Sequence, residues 1–357
     1  MTMYNKKNKA SKPDKRTELS QLGEFGLIDH LTKNIKLRNP GTIKGVGDDA
    51  AVIEVKDKML LLSTDLLIEG IHFDLSYMPL KHLGYKAAVV NFSDIAAMNG
   101  VPKQITVSIA ISNRFSVEAL DELYSGILLA CEKYNVDLVG GDTSSSVSGL
   151  MISVTVTGEA NKDEIVYRNG AKEGDLLCVT GDLGGAYLGL LILEREKQVY
   201  KANPEMQPEL VGYEYVLQRQ LRPEARTDIY NLFKGINLLP TSMIDISDGL
   251  ASETLHLCKQ SKTGCRIYEE KIPMDDETRS LAMDFKIIPS VAALSGGEDY
   301  ELLFTISQND FPKIEAVQGI SVIGYLTPAN DSIYMITPDG KQVEITAQGW
   351  DALRISS

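Results

Sequence analysis

Apolar and polar positions along this chain repeat with two periods, and the switches between them mark out the elements. Phe25, Leu27, Ile28, Leu31 and Ile35 recur at near-helical spacing, which predicts a first helix ending before Asn39-Pro40-Gly41. Two strands, AAVIEV and KMLLLSTD, follow around a turn at Lys56 to Lys58. Pro79 to Met98 is apolar on nearly every side and predicts a largely buried helix. Ile105 to Ser112 reads as a strand and Val117 to Tyr134 as an amphipathic helix. VDLVGGDTSSS reads as a strand running into a Gly-Gly-Asp turn, and LMISVTVTGEA as another strand. The order helix, two strands, helix, strand, helix, strand, strand predicts an α+β unit rather than a doubly wound βαβ repeat.

A polar stretch, NKDEIVYRNGAKEGD, suggests a boundary near 161–174. Beyond it come a strand at LLCVTG, a Gly-punctuated helix at DLGGAYLGLLILERE, an insert over Tyr200 to Pro208 and a helix over Tyr213 to Gln220. LRPEART leads into another helix, MIDISDGL is a strand opening a helix that continues to Ser261, and CRIYEEKIP is a strand. ALSGGEDYELLFTI predicts a tight turn into a strand, and strand patterns close the chain before Gly349-Trp350-Asp351. The expected organisation is a basic disordered tail over 1–20, an N-terminal α+β domain over 21–160 and a C-terminal α+β domain over 161–357. In the tail, MTMYNKKNKASKPDKRTELS is almost free of large apolar residues.

Aspartates interrupt this pattern at the ends of apolar elements. They stand in GVGDDAAV (Asp48, Asp49), LLSTD (Asp65), NFSDIAAM (Asp94), VGGDTS (Asp142) and MIDISDGL (Asp245, Asp248). A single Asp in such a place is an ordinary cap or turn residue. A hairpin, however, makes the start of AAVIEV and the end of KMLLLSTD neighbours, so Asp49 and Asp65 meet, with Ser63 and Thr64 adding oxygens. Asp94 lies inside an apolar helix, where a carboxylate needs a partner or a metal. The recurring motif suggests a carboxylate cluster for several divalent ions. Gly140 and Gly141 let backbone approach a ligand, and the helix start after Ser247 suits phosphate. Arg168 could reach a phosphate or lie solvated. His72, beside Phe73, suits packing as well as ligation; His30, His82 and His256 have no metal-ligand spacing. Glu298 and Asp299 sit where the SGGED turn would meet a ligand. Trp350 is the sole tryptophan, a packing plug or a stacking surface.

Composition narrows the reading. The 357 residues carry a net charge of −13, which argues against nucleic acid as a partner. Metal ions can still bridge carboxylates to phosphate. The four cysteines show no CxxC spacing and are expected to be reduced and buried, although Cys258 and Cys265 could meet. No apolar run reaches the roughly 18 residues of a membrane span, and the N-terminus has no secretory h-region; a cytoplasmic location is expected. There is no Walker loop, protein-kinase signature or Ser-His-Asp order.

The motifs GVGDDAAV, STDLLIEGIHF, NFSDIAAM, GGDTS, IDISDGL and SGGEDYEL, in this order, resemble the thiamine-monophosphate kinase family. That family belongs to the superfamily of aminoimidazole ribonucleotide synthetase and selenophosphate synthetase. The resemblance runs from about Leu22 to Trp350. Selenophosphate synthetases usually carry a reactive Cys near the N-terminus, whereas no Cys here precedes Cys131. The resemblance implies a two-domain, PurM-like α+β fold whose N-terminal domains pair through a mixed sheet into a homodimer. It implies transfer of the γ-phosphoryl group of ATP to thiamine monophosphate, the last step in making thiamine diphosphate, assisted by several Mg²⁺ ions. The acceptor is an already ionised phosphate oxygen, so no general base or nucleophilic side chain is implied. By position, Asp49, Asp65, Asp94, Asp142, Asp245 and Asp248 would hold Mg²⁺, with Ser63 and Thr64 auxiliary and Asp48 secondary. Tyr124, Gly141, Asp142, Arg168 and Ser247 would contact ATP. His72, Glu298 and Trp350 would contact the acceptor. Two other readings stay open: a different ATP-dependent enzyme of the superfamily, and a non-catalytic module that binds Mg²⁺ and nucleotide.

Overall fold

The computed structural model describes residues 38–346 together with residues 26, 28, 32 and 34. The expected tail, His30, most of the first helix and Trp350 lie outside the described residues. Gly26, Ile28 and Thr32 are helical.

The N-terminal half is a six-stranded sheet in the order β1-β2-β3-β6-β4-β5. Its strands are β1 (Thr42–Lys44), β2 (Ala51–Val55), β3 (Lys58–Ile68), β4 (Val101–Ile111), β5 (Asp137–Ser145) and β6 (Met151–Ala160). β2 and β3 form the expected hairpin, with Ala51 opposite Leu62 and Val55 opposite Lys58. β4 and β5 run parallel and the other neighbours antiparallel, so the sheet is mixed. Alternation along β6 is strict: Ile152, Val154 and Val156 are fully buried, while Met151, Ser153, Thr155 and Thr157 face outward and are half-buried. Two helices, α1 (Leu80–Ala97) and α2 (Val117–Tyr134), cover the inner face.

The two helices lie close because both are glycine at the crossing. A Cβ on Gly84 would come within 1.9 Å of the Leu123 carbonyl oxygen, and one on Gly126 within 1.8 Å of that of Lys81. α1 is buried almost all round, as its unbroken apolar pattern predicts. The side chain of Ser116 caps α2 on the amide of Ala119, and Asn135 ends that helix in the left-handed region.

The second half holds a seven-stranded sheet in the order β13-β12-β9-β11-β7-β10-β8. Its strands are β7 (Leu176–Thr180), β8 (Ser242–Asp245), β9 (Gly264–Tyr268), β10 (Leu302–Ile306), β11 (Ile320–Thr327), β12 (Ile333–Ile336) and β13 (Gln342–Glu344). Around it lie α3 (Gly185–Ala202), α4 (Glu214–Leu221), α5 (Asp228–Gly235), α6 (Leu250–Ser261), α7 (Asp276–Asp284), α8 (Pro289–Ser295) and the single turn α9 (Phe311–Ile314). Both sheets belong to one compact unit. Ala225 and Tyr300 from the second half are buried in the first-half core, and Ala97 of α1 is buried in a second-half cluster. All four cysteines are buried and free.

Three local expectations are corrected. Gly140 to Asp142 do not form a turn but continue inside β5. Gly141 is needed there because a Cβ would sit 1.9 Å from the Val107 carbonyl oxygen on β4. CRIYEEKIP stops being a strand at Tyr268, where a 3₁₀ turn over Glu269–Lys271 takes over. Helices α7 and α8, unmarked by the hydrophobic pattern, precede the SGGED turn.

Candidate active site

Three carboxylates from separate elements converge where the two sheets meet. Asp49 ends the loop before β2, Asp94 lies in the last turn of α1, and Asp245 closes β8. One oxygen of each lies within 4.8 Å of the others. Asp65, on β3, is close enough to Asp94 to repel it. Hydroxyls hold two members in place: Ser63 Oγ donates to Asp94 at 2.6 Å, and Ser93 Oγ donates to Asp245 at 2.7 Å. Arg168 grips Asp49 with Nε and one Nη, each at 2.8 Å.

So many buried carboxylates resist ionisation together. Burial, then the charges of Asp65, Asp245 and Asp49, pushes Asp94 well above its usual range. Burial and Asp49 do the same to Asp245, partly offset by Ser93 and Arg168. Burial lifts Asp65 to about 6, and burial with Asp49 lifts Asp48 to about 6. Such crowding is unfavourable unless protons or cations neutralise it. Oxygen-only donors at this spacing fit a hard divalent ion such as Mg²⁺.

The rim is built from the loop that follows Ser295. Glu298 and Tyr300 occupy the left-handed region, with φ of 59° and 52°, beside Gly297 at 71°. Such backbone is costly for side-chain-bearing residues, and hydrogen bonds hold it. The amide of Glu298 donates to the Ser247 carbonyl at 2.6 Å, and that of Tyr300 to the Ile246 carbonyl at 2.9 Å. A Cβ on Gly297 would meet the Ser247 carbonyl oxygen at 2.6 Å. The SGGED turn is thus laid directly on the IDISD strand end.

Not every expected residue joins the carboxylate group. Thr64 points to the opposite face of β3 from Ser63 and Asp65, its hydroxyl bonding to the Val154 carbonyl and Thr155. Asp142 is exposed on the edge strand β5. Register aligns it with Ser108, Ser153 and Leu66 in turn, so it lies roughly 14 Å across the sheet from Leu66. Asp48 accepts from the Arg168 amide at 3.1 Å and pairs with Lys44 at 3.4 Å. The amide of Asp248 donates to Glu253 at 3.0 Å, and the hydroxyl of Ser247 lies 3.5 Å from the same oxygen. Tyr124 packs against the N-terminal core. His72 accepts from the Ile68 amide at 3.0 Å through Nδ1; burial lowers its pKa, opposed by nearby Glu298.

The chain matches the family model described as AIR synthase related protein, N-terminal domain, over residues 47–160. It is 36% identical over 342 residues to the thiamine-monophosphate kinase of Aquifex aeolicus, covering 93% of this chain and 98% of that one. The chain belongs to the thiamine-monophosphate kinase family. Its Bacillus subtilis member is 32% identical over 336 residues, covering 92% and 99% of the two chains. A solved structure of AaThiL complexed with AMPPCP and TMP superposes with a TM-score of 0.79 at 35% identity, covering 95% of this chain and 99% of that one. The family's two-domain α+β fold is therefore the fold of this chain.

Sequence reasoning missed three neighbours of the site in this family member: Lys86, Gln220 and Glu253. Lys86 Nζ pairs with Glu298 at 2.8 Å, and Gln220 donates to the other oxygen of Glu298 at 2.8 Å. Lys86 stands in an apolar run where a lysine is otherwise out of place, and that anomaly was a readable signal. Glu253, on the first turn of α6 and 2% exposed, could have been suspected beside two other acids.

Proposed function

We propose that this protein transfers the γ-phosphoryl group of ATP directly to thiamine monophosphate, giving thiamine diphosphate and ADP. The observation that carries the reading is the buried group Asp49, Asp94 and Asp245, drawn from three elements beside the SGGED loop, in a chain that matches the kinase family over 93% of its length. The acceptor oxygen is already ionised, so the side chains need to bind and align rather than move a proton.

In this reading Asp49, Asp65, Asp94, Asp245 and Asp248 hold Mg²⁺, with Ser63 orienting Asp94 and Asp48 supporting the loop. Asp142, on the edge strand and three strands across the sheet from Leu66, is assigned to a separate ion in this reading, consistent with a requirement for several. Thr64 would contribute through its backbone. Bound Mg²⁺ supplies charge neutralisation on phosphate oxygens. Arg168 pairs with Asp49 through Nε and one Nη, which leaves its other Nη to bind a phosphate in this reading, with Gly141, Ser247 and Tyr124 completing the nucleotide site. His72, Glu298 and Trp350 are assigned to the acceptor.

A homodimer belongs to the same reading. Among the described residues no helix covers the outer face of the first sheet, which carries Leu66, 51% exposed, among Ser153, Thr155 and Thr157; a second copy would cover it. The domain boundary is placed after β6, at 160/161, and the enzyme is assigned to the cytoplasm. No helix among the described residues is long and apolar enough to cross a membrane.

The test is isotope tracing. With ATP labelled at the γ-phosphorus, thiamine monophosphate and Mg²⁺, the label is expected at the terminal phosphorus of thiamine diphosphate, one per ADP formed. Label released as inorganic phosphate without thiamine diphosphate would refute the acceptor.

A further inference from the structure

Lys86 heads the large side chains that are fully buried among the described residues. It stands on α1, about two turns before Asp94. A buried ammonium is unfavourable unless it is paired with a counter-charge and hydrogen-bonded. Here Nζ pairs with Glu298 Oε1 at 2.8 Å and donates to the Gln220 carbonyl at 3.1 Å. Gln220 in turn donates from Nε2 to Glu298 Oε2 at 2.8 Å. The two oxygens of one carboxylate are thus held separately, by α1 of the first half and α4 of the second. Yet the Glu298 side chain keeps 31% of its surface exposed. His72 lies near enough to feel both Glu298 and Lys86. A core ion pair made only for stability has no need of a strained backbone at its acidic end, and Glu298 has one.

We propose that Lys86 and Gln220 are positioning residues that lock the Glu298 carboxylate, so that its open edge faces the cationic ring system of thiamine monophosphate opposite His72. The proposal rests on the acceptor assigned above. A carboxylate fixed on both oxygens keeps one orientation toward a thiazolium or an amino group, with no rotamer freedom to lose on binding. Its effect falls on the acceptor rather than on ATP, whose proposed contacts lie on other loops.

The experiment is steady-state kinetics of Lys86→Met and Gln220→Leu in the full chain, varying each substrate with the other saturating. The expected result for Lys86→Met is a KM for thiamine monophosphate raised about tenfold or more, with kcat and the KM for ATP within about twofold. In a Glu298→Gln background, Lys86→Met should add no further rise. An unchanged KM for thiamine monophosphate, or equal rises for both substrates as a loosened fold gives, would overturn the proposal. Should Lys86→Met fail to fold, Gln220→Leu retains the ion pair and is expected to show the same split at smaller size; its absence overturns the clamp. If the wild type makes no thiamine diphosphate, the acceptor reading fails first. Calorimetric binding of thiamine monophosphate to wild type and Gln220→Leu then judges the clamp separately: weaker binding to the variant supports it, and equal affinity overturns it.

Discussion

Asp94 is surrounded by Asp65, Asp245 and Asp49, and all three raise its pKa on top of burial. Asn at this position still accepts from Ser63 and carries no charge. Asp94→Asn is therefore expected to stabilise the metal-free protein, by on the order of 1–2 kcal/mol at neutral pH, in the manner of other strained functional sites. Thermal melts in EDTA check it; a lower Tm would mean the repulsion is already relieved. The pH dependence has a definite sign. Asp65 rises from 3.8 to about 6 on folding, so the folded state holds its proton more tightly than the unfolded state. That contribution is fully present below about pH 4 and is lost as pH rises through about 6. In EDTA, Tm is expected to fall between pH 5 and 7.5. Added Mg²⁺ should restore more stability at pH 7.5 than at pH 5, because ligands must shed protons to bind it. Equal Mg²⁺ shifts at the two pH values would contradict the cluster's role. At this scale most carboxylates were legible because a charged residue inside an apolar run is an anomaly. Thr64 was not, since residue type alone does not say which face of a pleated strand a hydroxyl takes. Nor was the grip of Arg168 on Asp49, which spans 119 positions in sequence.

α1 carries Asp94 and Ser93 into the site and Lys86 beneath its rim, so its seat decides the geometry of all three. That seat depends on contact with α2 through Gly84 and Gly126. Gly126→Ala places a methyl group 1.8 Å from the Lys81 carbonyl oxygen, and the helices must part. The expected loss is about 1–3 kcal/mol of stability, read from denaturant unfolding; a change within error would show that the helices adjust freely. The helix itself was readable from its apolar run, as were the β2–β3 hairpin and α2. The run through Gly140–Asp142 was misread as a turn because Gly-Gly-Asp is locally a turn signal. Close pairing with β4, a long-range contact, makes strand of it. Helices α7 and α8 were overlooked because they are short, nine and seven residues, too few for a periodic pattern to stand out, and are held by tertiary packing.

Across the whole molecule, the two sheets bring together motifs far apart in sequence: the first half supplies Asp49, Asp65 and Asp94, the second Asp245 and the Glu298 loop. The α+β class followed from element order. The closure of one half upon the other did not, because shared packing such as that of Tyr300 in the first-half core leaves no periodic trace. The outer face of the first sheet, which no helix among the described residues covers, carries the prediction for assembly. Sedimentation is expected to give a dimer, and Leu66→Lys, which puts a charge on that face, should shift it toward monomer; a wild-type monomer at micromolar concentration would refute the pairing. The most direct measurement compares the rate of thiamine diphosphate formation from ATP and thiamine monophosphate in wild type and Asp94→Asn across a Mg²⁺ titration. The wild type is expected to need Mg²⁺ and to saturate, while the variant, though folded, falls at least about 100-fold at every concentration. Equal rates in the two would contradict the assignment of this carboxylate group to phosphoryl transfer.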